Sequence, residues 1–220
     1  NKLIFQKRLG LRRNAEAPIF FWPSRLDPIQ KGPQLLSDIL YQIISAYWDE
    51  ELQVAIVANG AYKQIFRDIV RHHDFYDHVA VCDFDEDLSH LGYAAADYML
   101  MPSSFEPCGL PQMISCIYGT LPVVHDTGGL HDTVEHLDLA RGSGNGFVFN
   151  VFDSNGLRWA VDQAMAFHKQ PADVRQRQIE RIMRESVERF NHPVTARAYF
   201  DLYEKMLQRP IIDFFANTPL

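Results

Sequence analysis

Two cations, one carboxylate and a pair of glycines are the residues whose types and spacing could do chemistry. Ser24-Arg25-Leu26-Asp27-Pro28-Ile29-Gln30-Lys31-Gly32 sets Arg25 and Lys31 six positions apart on a short polar stretch. A guanidinium offers a planar fork and an ammonium a compact point charge, so the two can converge on one anion such as a phosphate. Two solvated surface cations would look the same in sequence. Pro102-Ser103-Ser104-Phe105-Glu106-Pro107-Cys108-Gly109-Leu110-Pro111 holds Glu106 between prolines at a strand-to-helix corner. Gly109 lets a ligand approach the backbone, and a helix starting there aims its free N–H groups and positive end at the same place. Pro111 fits the first turn, where its missing N–H costs little. Glu106 could equally serve only as a cap. Asp126-Thr127-Gly128-Gly129-Leu130 supplies either a backbone nest for an anion or a plain tight turn.

Other constellations fall short. In Gly142-Ser143-Gly144-Asn145-Gly146 the third glycine of a dinucleotide loop would fall on Phe147, and the segment precedes a strand. It reads as a flexible loop, which weakens a nicotinamide dehydrogenase. His72, His73 and His78, with Asp74 and Asp77, read as a helix end and a polar turn, and no metal is expected there. His125, His131 and His136 do not form H-E-x-x-H, and no G-x-S-x-G elbow occurs. The arginines over 175–189 alternate with Glu180, Glu185 and Glu188 and read as a salt-bridged surface face. Phe5, Trp22 and the tail residues Ile211, Ile212, Phe214 and Phe215 read as packing residues.

The elements that must position these residues alternate strand and helix. Apolar runs predict strands at 19–22, 52–58, 78–82, 98–101, 121–124 and 146–152. Between them, Leu35, Leu36, Ile39, Leu40, Ile43, Ile44 and Tyr47 mark one face of a helix opened by Pro33. Further helices are predicted after Gly60 to about 72, over 88–96, 109–118, 154–168, 173–190 and 194–208, with acidic residues 83–87 suited to a helix start. Strands without alternation, each followed by a helix, predict a doubly wound α/β domain with a parallel sheet. Ligands on such sheets bind beyond the carboxyl ends of the strands, where 24–25, 59–60, 83–84, 103–106 and 125–129 all fall.

Composition sets bounds. The chain has 220 residues, 47% of them hydrophobic, and a formal charge of −7, enough for a sizeable core and unfavourable for a nucleic-acid partner. Cys82, Cys108 and Cys116 form no disulfide framework and no C-x-x-C, which suits a reducing, cytoplasmic setting. No apolar run approaches the roughly 18 residues of a membrane span, so no membrane partner is expected. The start, Asn1-Lys2-Leu3, is neither an initiator methionine nor a signal peptide, and a piece of something longer is expected.

Three segments carry a resemblance. Pro23-Ser24-Arg25-Leu26 with Gln30-Lys31-Gly32, Ser103-Ser104-Phe105-Glu106-Pro107-Cys108-Gly109-Leu110, and Tyr118-Gly119-Thr120-Leu121-Pro122-Val123-Val124 with Thr127-Gly128-Gly129-Leu130-His131-Asp132-Thr133-Val134 occur in this order. Phe190 and Thr195-Ala196, Tyr199 and Leu202-Tyr203-Glu204 extend it. Together they resemble the C-terminal half of bacterial glycogen synthases and plant starch synthases over nearly the whole chain. The resemblance implies one Rossmann-like domain, roughly 1–194, of a two-domain GT-B glycosyltransferase, with 195–220 packing toward an N-terminal domain outside this chain. It implies a nucleotide-diphosphate glucose donor, ADP-glucose favoured, an α-1,4-glucan acceptor, retention of configuration and no cofactor. A plastid setting would follow if the chain were a plant starch synthase.

By the same resemblance Arg25 and Lys31 hold the diphosphate and Glu106 contacts the transferred glucose. Phe84 stacks on the base, the backbone of Cys108, Gly109 and Leu110 approaches sugar and phosphate, and Thr127, Gly128 and Gly129 line the phosphate side. Four departures from the pattern stand out. Ile114 stands where many relatives carry a second glutamate, which favours the glycogen/starch synthase branch. Pro111 replaces a usual Thr, Ser104 a usual Arg, and Asn191-His192 a usual Ser-Trp. Alternatives are a related glucosyltransferase with a small sugar acceptor and a non-catalytic glucan- or nucleotide-binding module.

Overall fold

The computed structural model describes residues 1–211. Helix α1 (Lys2–Leu9) leads into strand β1 (Ile19–Arg25), and α2 (Pro33–Ala46), β2 (Gln53–Asn59), α3 (Lys63–His73) and β3 (Val79–Asp83) follow. The chain then crosses back through α4 (Glu86–Tyr93), β4 (Tyr98–Met101), α5 (Pro111–Tyr118), β5 (Leu121–His125), α6 (Gly128–Thr133) and β6 (Phe147–Phe149). Helices α7 (Ser154–His168), α8 (Ala172–Arg189) and α9 (His192–Leu207) close it. The six strands run in the order β3-β2-β1-β4-β5-β6, with every pairing parallel. The expected Rossmann-like doubly wound α/β sheet is present, and its strand order reverses between β1 and β4.

Successive strand side chains point to opposite faces, so a strand covered on both sides must be apolar throughout. On one face Phe20, Trp22, Val54, Ile56, Tyr98 and Leu100 meet Leu36, Leu40 and Ile43 of α2 and Leu157, Val161 and Met165 of α7. On the other, Ile19, Phe21, Val57, Met99 and Val124 meet Phe5 of α1, Leu88 of α4 and Leu130 of α6. Phe5 and Trp22 are core residues, as read from the sequence. Asp85 caps α4, accepting from Leu88 N–H at 2.6 Å.

Several boundaries differ from expectation. Helix α5 begins at Pro111, because Gly109 sits at φ +74° outside the helical region. Strand β6 is only Phe147–Phe149, since its partner β5 ends at His125. The segment 142–146 is tied rather than loose. Asp138 and Ser143 exchange backbone hydrogen bonds at 2.9 and 3.2 Å, and Asn145 N–H donates to Glu135 C=O at 2.9 Å. On α8, Arg177–Asp173 and Arg181–Glu185 pair at 3.1 and 2.7 Å, but Arg181 and Arg189 also donate to the carbonyls of Gly144 and Asp132. His73 stacks near Tyr41 and Phe75, and His78 Nδ1 donates to the Leu52 carbonyl beneath Trp48, so both serve packing. Helix α9 starts at His192, two residues before the helix expected from 194, and has no buried residue. Of the tail residues read as packing, Ile212, Phe214 and Phe215 lie outside the described residues, and Ile211 is exposed.

Candidate functional site

The β1–α2 connection folds on Asp27, whose Oδ1 accepts from the N–H groups of Ile29 and Gln30 at 2.8 and 3.2 Å. Lys31 N–H then donates to Asp27 C=O at 2.7 Å, turning the chain back over the sheet. At Gly32, φ is +64°, and a Cβ would sit 2.1 Å from the Pro102 carbonyl oxygen. Only glycine allows this loop to touch the one that follows β4. Ser104 fastens the contact, its N–H donating to Gln30 C=O at 2.8 Å and its hydroxyl to Ile29 C=O at 2.6 Å.

This docking brings Lys31 Nζ to within 2.5 Å of Glu106 Oε2. Glu106 is 8% exposed, so its charge is matched by the ammonium rather than by water. Arg25 is exposed and makes one long contact, to Gln30 Oε1 at 3.4 Å. Arg25 and Lys31 line a cavity of about 760 Å³ beyond the carboxyl ends of β1, β2 and β4. Asn59, Phe84, Ser103 and Pro111 line it too, and Phe84 is 52% exposed.

Gly128 and Gly129 have a packing task. A Cβ on Gly128 would lie 2.2 Å from Glu106 O, and one on Gly129 2.0 Å from Cys108 O. Gly129 N–H donates to Glu106 C=O at 2.8 Å, so this amide is already engaged in holding the glutamate loop. Thr127 is the extended residue before α6. Cys108 and Leu110 are exposed. Gln112 Nε2 donates to the carbonyls of Cys108 and Gly109 at 3.1 and 3.0 Å. The N–H groups of Gly109 and Leu110 donate to no acceptor among the described residues, and they flank the start of α5.

The structure thus gathers Arg25, Lys31 and Phe84 around one cavity and joins Glu106 to it through Lys31. The glycine pair stands behind the glutamate. Tyr93, Ile114 and Tyr118 form the apolar side of the cavity between α4 and α5; sequence reasoning missed the two tyrosines as site residues and weighed Ile114 only as a departure from the family pattern. The signal for the tyrosines was an aromatic as the last residue of α4 and of α5. Burial pushes the Tyr93 phenol up to about 12, keeping it neutral. At the rim, Lys63 hydrogen-bonds Asp83 and holds that carboxyl below its ordinary value, with Arg67 adding to the effect. Among the described residues no group of three or more His, Cys, Asp or Glu could hold a metal ion. No helix there is long and apolar enough to cross a membrane.

Two cations, unpaired amides at a helix start and an adjoining buried carboxylate can bind a doubly charged phosphate ester with a polyhydroxylated group beside it. Comparison with known proteins gives the same direction. Residues 5–181 match the family described as glycosyl transferases group 1. A glycogen synthase of Cellvibrio japonicus is 39% identical over 211 residues, covering 94% of this chain and 42% of that protein. A glycogen synthase of Bacillus subtilis is 38% identical over 173 residues, covering 77% of this chain and 34% of that protein. Among solved structures, the catalytic domain of starch synthase IV from Arabidopsis thaliana bound to ADP and acarbose superposes with a TM-score of 0.78. It is 30% identical, with 94% of this chain and 42% of that one covered. The chain therefore spans about two fifths or less of the length of these relatives.

Proposed function

The chain belongs to the glycosyl transferases group 1 family, and from that premise we propose that it is the donor-binding domain of a retaining glucosyltransferase of the glycogen/starch synthase type. The donor in this reading is a nucleotide-diphosphate glucose and the acceptor an α-1,4-glucan. The observation that carries it is the Lys31–Glu106 contact at the mouth of a cavity lined by Arg25 and Phe84. The base lies on Phe84, the diphosphate between Arg25, Lys31 and the free amides of Gly109 and Leu110, and the glucose against Glu106.

In the transfer, the bond from glucose C1 to the diphosphate oxygen opens and its electron pair goes to the phosphate. Arg25 and Lys31 meet the charge that builds there, a fixed electrostatic stabilisation that needs no reorganisation as the bond breaks. The acceptor's 4-hydroxyl oxygen forms the new bond on the same face of C1, and its proton passes to the departing phosphate. A second wall is needed to place the acceptor and exclude water. The exposed apolar residues of α9, Tyr199, Phe200, Leu202 and Tyr203 among them, fit packing against such a wall.

Calorimetric titration of the chain with ADP and with UDP is the test. Binding of at least one, with the preferred base read directly, is expected; a folded chain that binds neither overturns the reading. With labelled ADP-glucose and glycogen this chain alone should transfer little sugar. Turnover like that of a full-length synthase would refute the need for a second wall.

A further inference from the structure

We propose that Ser103 and His125 are positioning residues that lock the Glu106 carboxylate, one oxygen held and one presented; this rests on the donor-site reading above. Ser103 is 1% exposed, and its hydroxyl lies 3.2 Å from Glu106 Oε2. An ionised carboxylate only accepts, so the serine donates. Oε2 is the same oxygen that Lys31 contacts at 2.5 Å. Glu106 Oε1 has no hydrogen-bond partner among the described residues and is left for a sugar hydroxyl.

The serine is itself held. His125, the last residue of β5, places Nδ1 2.8 Å from the Ser103 carbonyl oxygen. A carbonyl cannot donate, so Nδ1 carries the hydrogen and the ring is fixed as that tautomer or as the cation. Phe149 and Phe152 flank the ring, with centroids 5.4 and 5.1 Å away. The neighbouring Ser104 is fastened to the carbonyls of Ile29 and Gln30, and the Glu106 carbonyl to Gly129 N–H. The glutamate corner is therefore gripped from β5, from the β1–α2 loop and from α6. Ser103 is the only described group besides Lys31 that hydrogen-bonds the carboxylate. Lys31 also has to serve the diphosphate, so the serine fixes the carboxylate's orientation independently of the donor's charge.

The test compares ADP-glucose with ADP on the chain by calorimetry. The wild type should bind ADP-glucose more tightly than ADP. Ser103→Ala should weaken ADP-glucose about tenfold, the scale of a hydrogen bond to a charged group, and leave ADP within about twofold. Ser103→Thr, which keeps the hydroxyl, should restore most of the loss. His125→Phe, which keeps a ring but removes the donor, should give the same pattern as Ser103→Ala, to a smaller degree. An unchanged ADP-glucose affinity in Ser103→Ala overturns the proposal, as does an equal loss for both ligands, since that marks a merely structural role. Nitrogen-15 spectra of the ligand-free chain should show hydrogen on His125 Nδ1, and a neutral ring bearing it on Nε2 alone overturns the clamp with no ligand involved. A wild type that binds neither ADP nor UDP defeats the donor-site reading instead, and the tautomer still decides the clamp.

Discussion

The two ends of the sheet carry similar residue types and put them to opposite uses. At the amino ends of the strands, Gln6 Nε2 donates to Gln53 Oε1 at 3.0 Å and to Asn14 C=O at 2.7 Å, while Asn14 N–H donates back to Gln6 Oε1 at 3.1 Å. Gln53 reaches the Arg12 carbonyl, and Arg12 pairs with both Glu51 and Asp77. Lys2 and Ile19 N–H share Asp97. The side-chain amides of Gln6 and Gln53 are fully answered within the chain, which makes them a closed network, with the buried His78 Nε2 the exception at this end. At the carboxyl ends, Arg25 has one long contact and the amides of Gly109 and Leu110 have none. An open network beside a cavity is what an anionic ligand completes, and a closed one fixes the fold.

That contrast breaks most visibly at the carboxyl end. Arg25→Ala combined with Lys31→Gln should weaken nucleoside diphosphate binding about a hundredfold, from the loss of two charge-assisted contacts of about 1.5 kcal/mol each. The glutamine amide can still donate to Glu106 but no longer matches its charge, so the thermal midpoint should fall as well, whereas Arg25→Ala alone should weaken binding and leave the midpoint nearly unmoved. Calorimetry with a melting curve on the same sample checks both halves; binding that survives would show the cations to be surface charges only. At the amino end the pattern should invert. Gln6→Leu leaves Gln53 Oε1 and the Asn14 backbone without partners, a cost of about 2 kcal/mol. That lowers the midpoint by about 4–8 °C for a domain of this size and should leave nucleotide affinity unchanged.

The same contrast governs what the sequence revealed. Strands were legible because burial on both faces demands unbroken apolar runs; the strand-end rule pointed to Arg25 and Phe84, and the cation spacing to Lys31, and all three line one cavity. Helix α1 was not legible. Lys2–Leu9 turns only Phe5 and Gln6 inward, and it is anchored by Lys2 to Asp97 and Gln6 to Gln53, partners far along the chain that no periodicity reports. Helix α6 is six residues opening with two glycines, a composition that reads as a turn. The Lys31–Glu106 contact depends on Gly32 lying against the Pro102 carbonyl, a tertiary coincidence no spacing encodes. Gly128 and Gly129 looked like an anion nest because close approach to a carbonyl and close approach to a phosphate ask for the same missing Cβ.

Two histidines sharpen the comparison at its smallest scale, because the two ends shift them in opposite directions. At the carboxyl end His131 Nδ1 lies 2.7 Å from Asp126 Oδ1, and that hydrogen bond, with the carboxylate's charge, raises the imidazole above its ordinary 6.5. At the amino end burial lowers His168 below 6.5, although Asp97 and the Glu16 carbonyl pull the other way. The signs follow from which state holds the proton more tightly. The His131 contribution is fully present below pH 6.5 and is lost as pH rises through its folded value. The His168 site is undisturbed above pH 6.5, and stability is lost as pH falls from there toward its lower folded value. Acidification should therefore favour the carboxyl end of the sheet while eroding its amino end. Histidine proton NMR titration should show His131 titrating above the ordinary value and His168 below it. Asp126→Asn should return His131 toward 6.5 without moving His168, and a common shift of both would show that the two ends are not electrostatically independent.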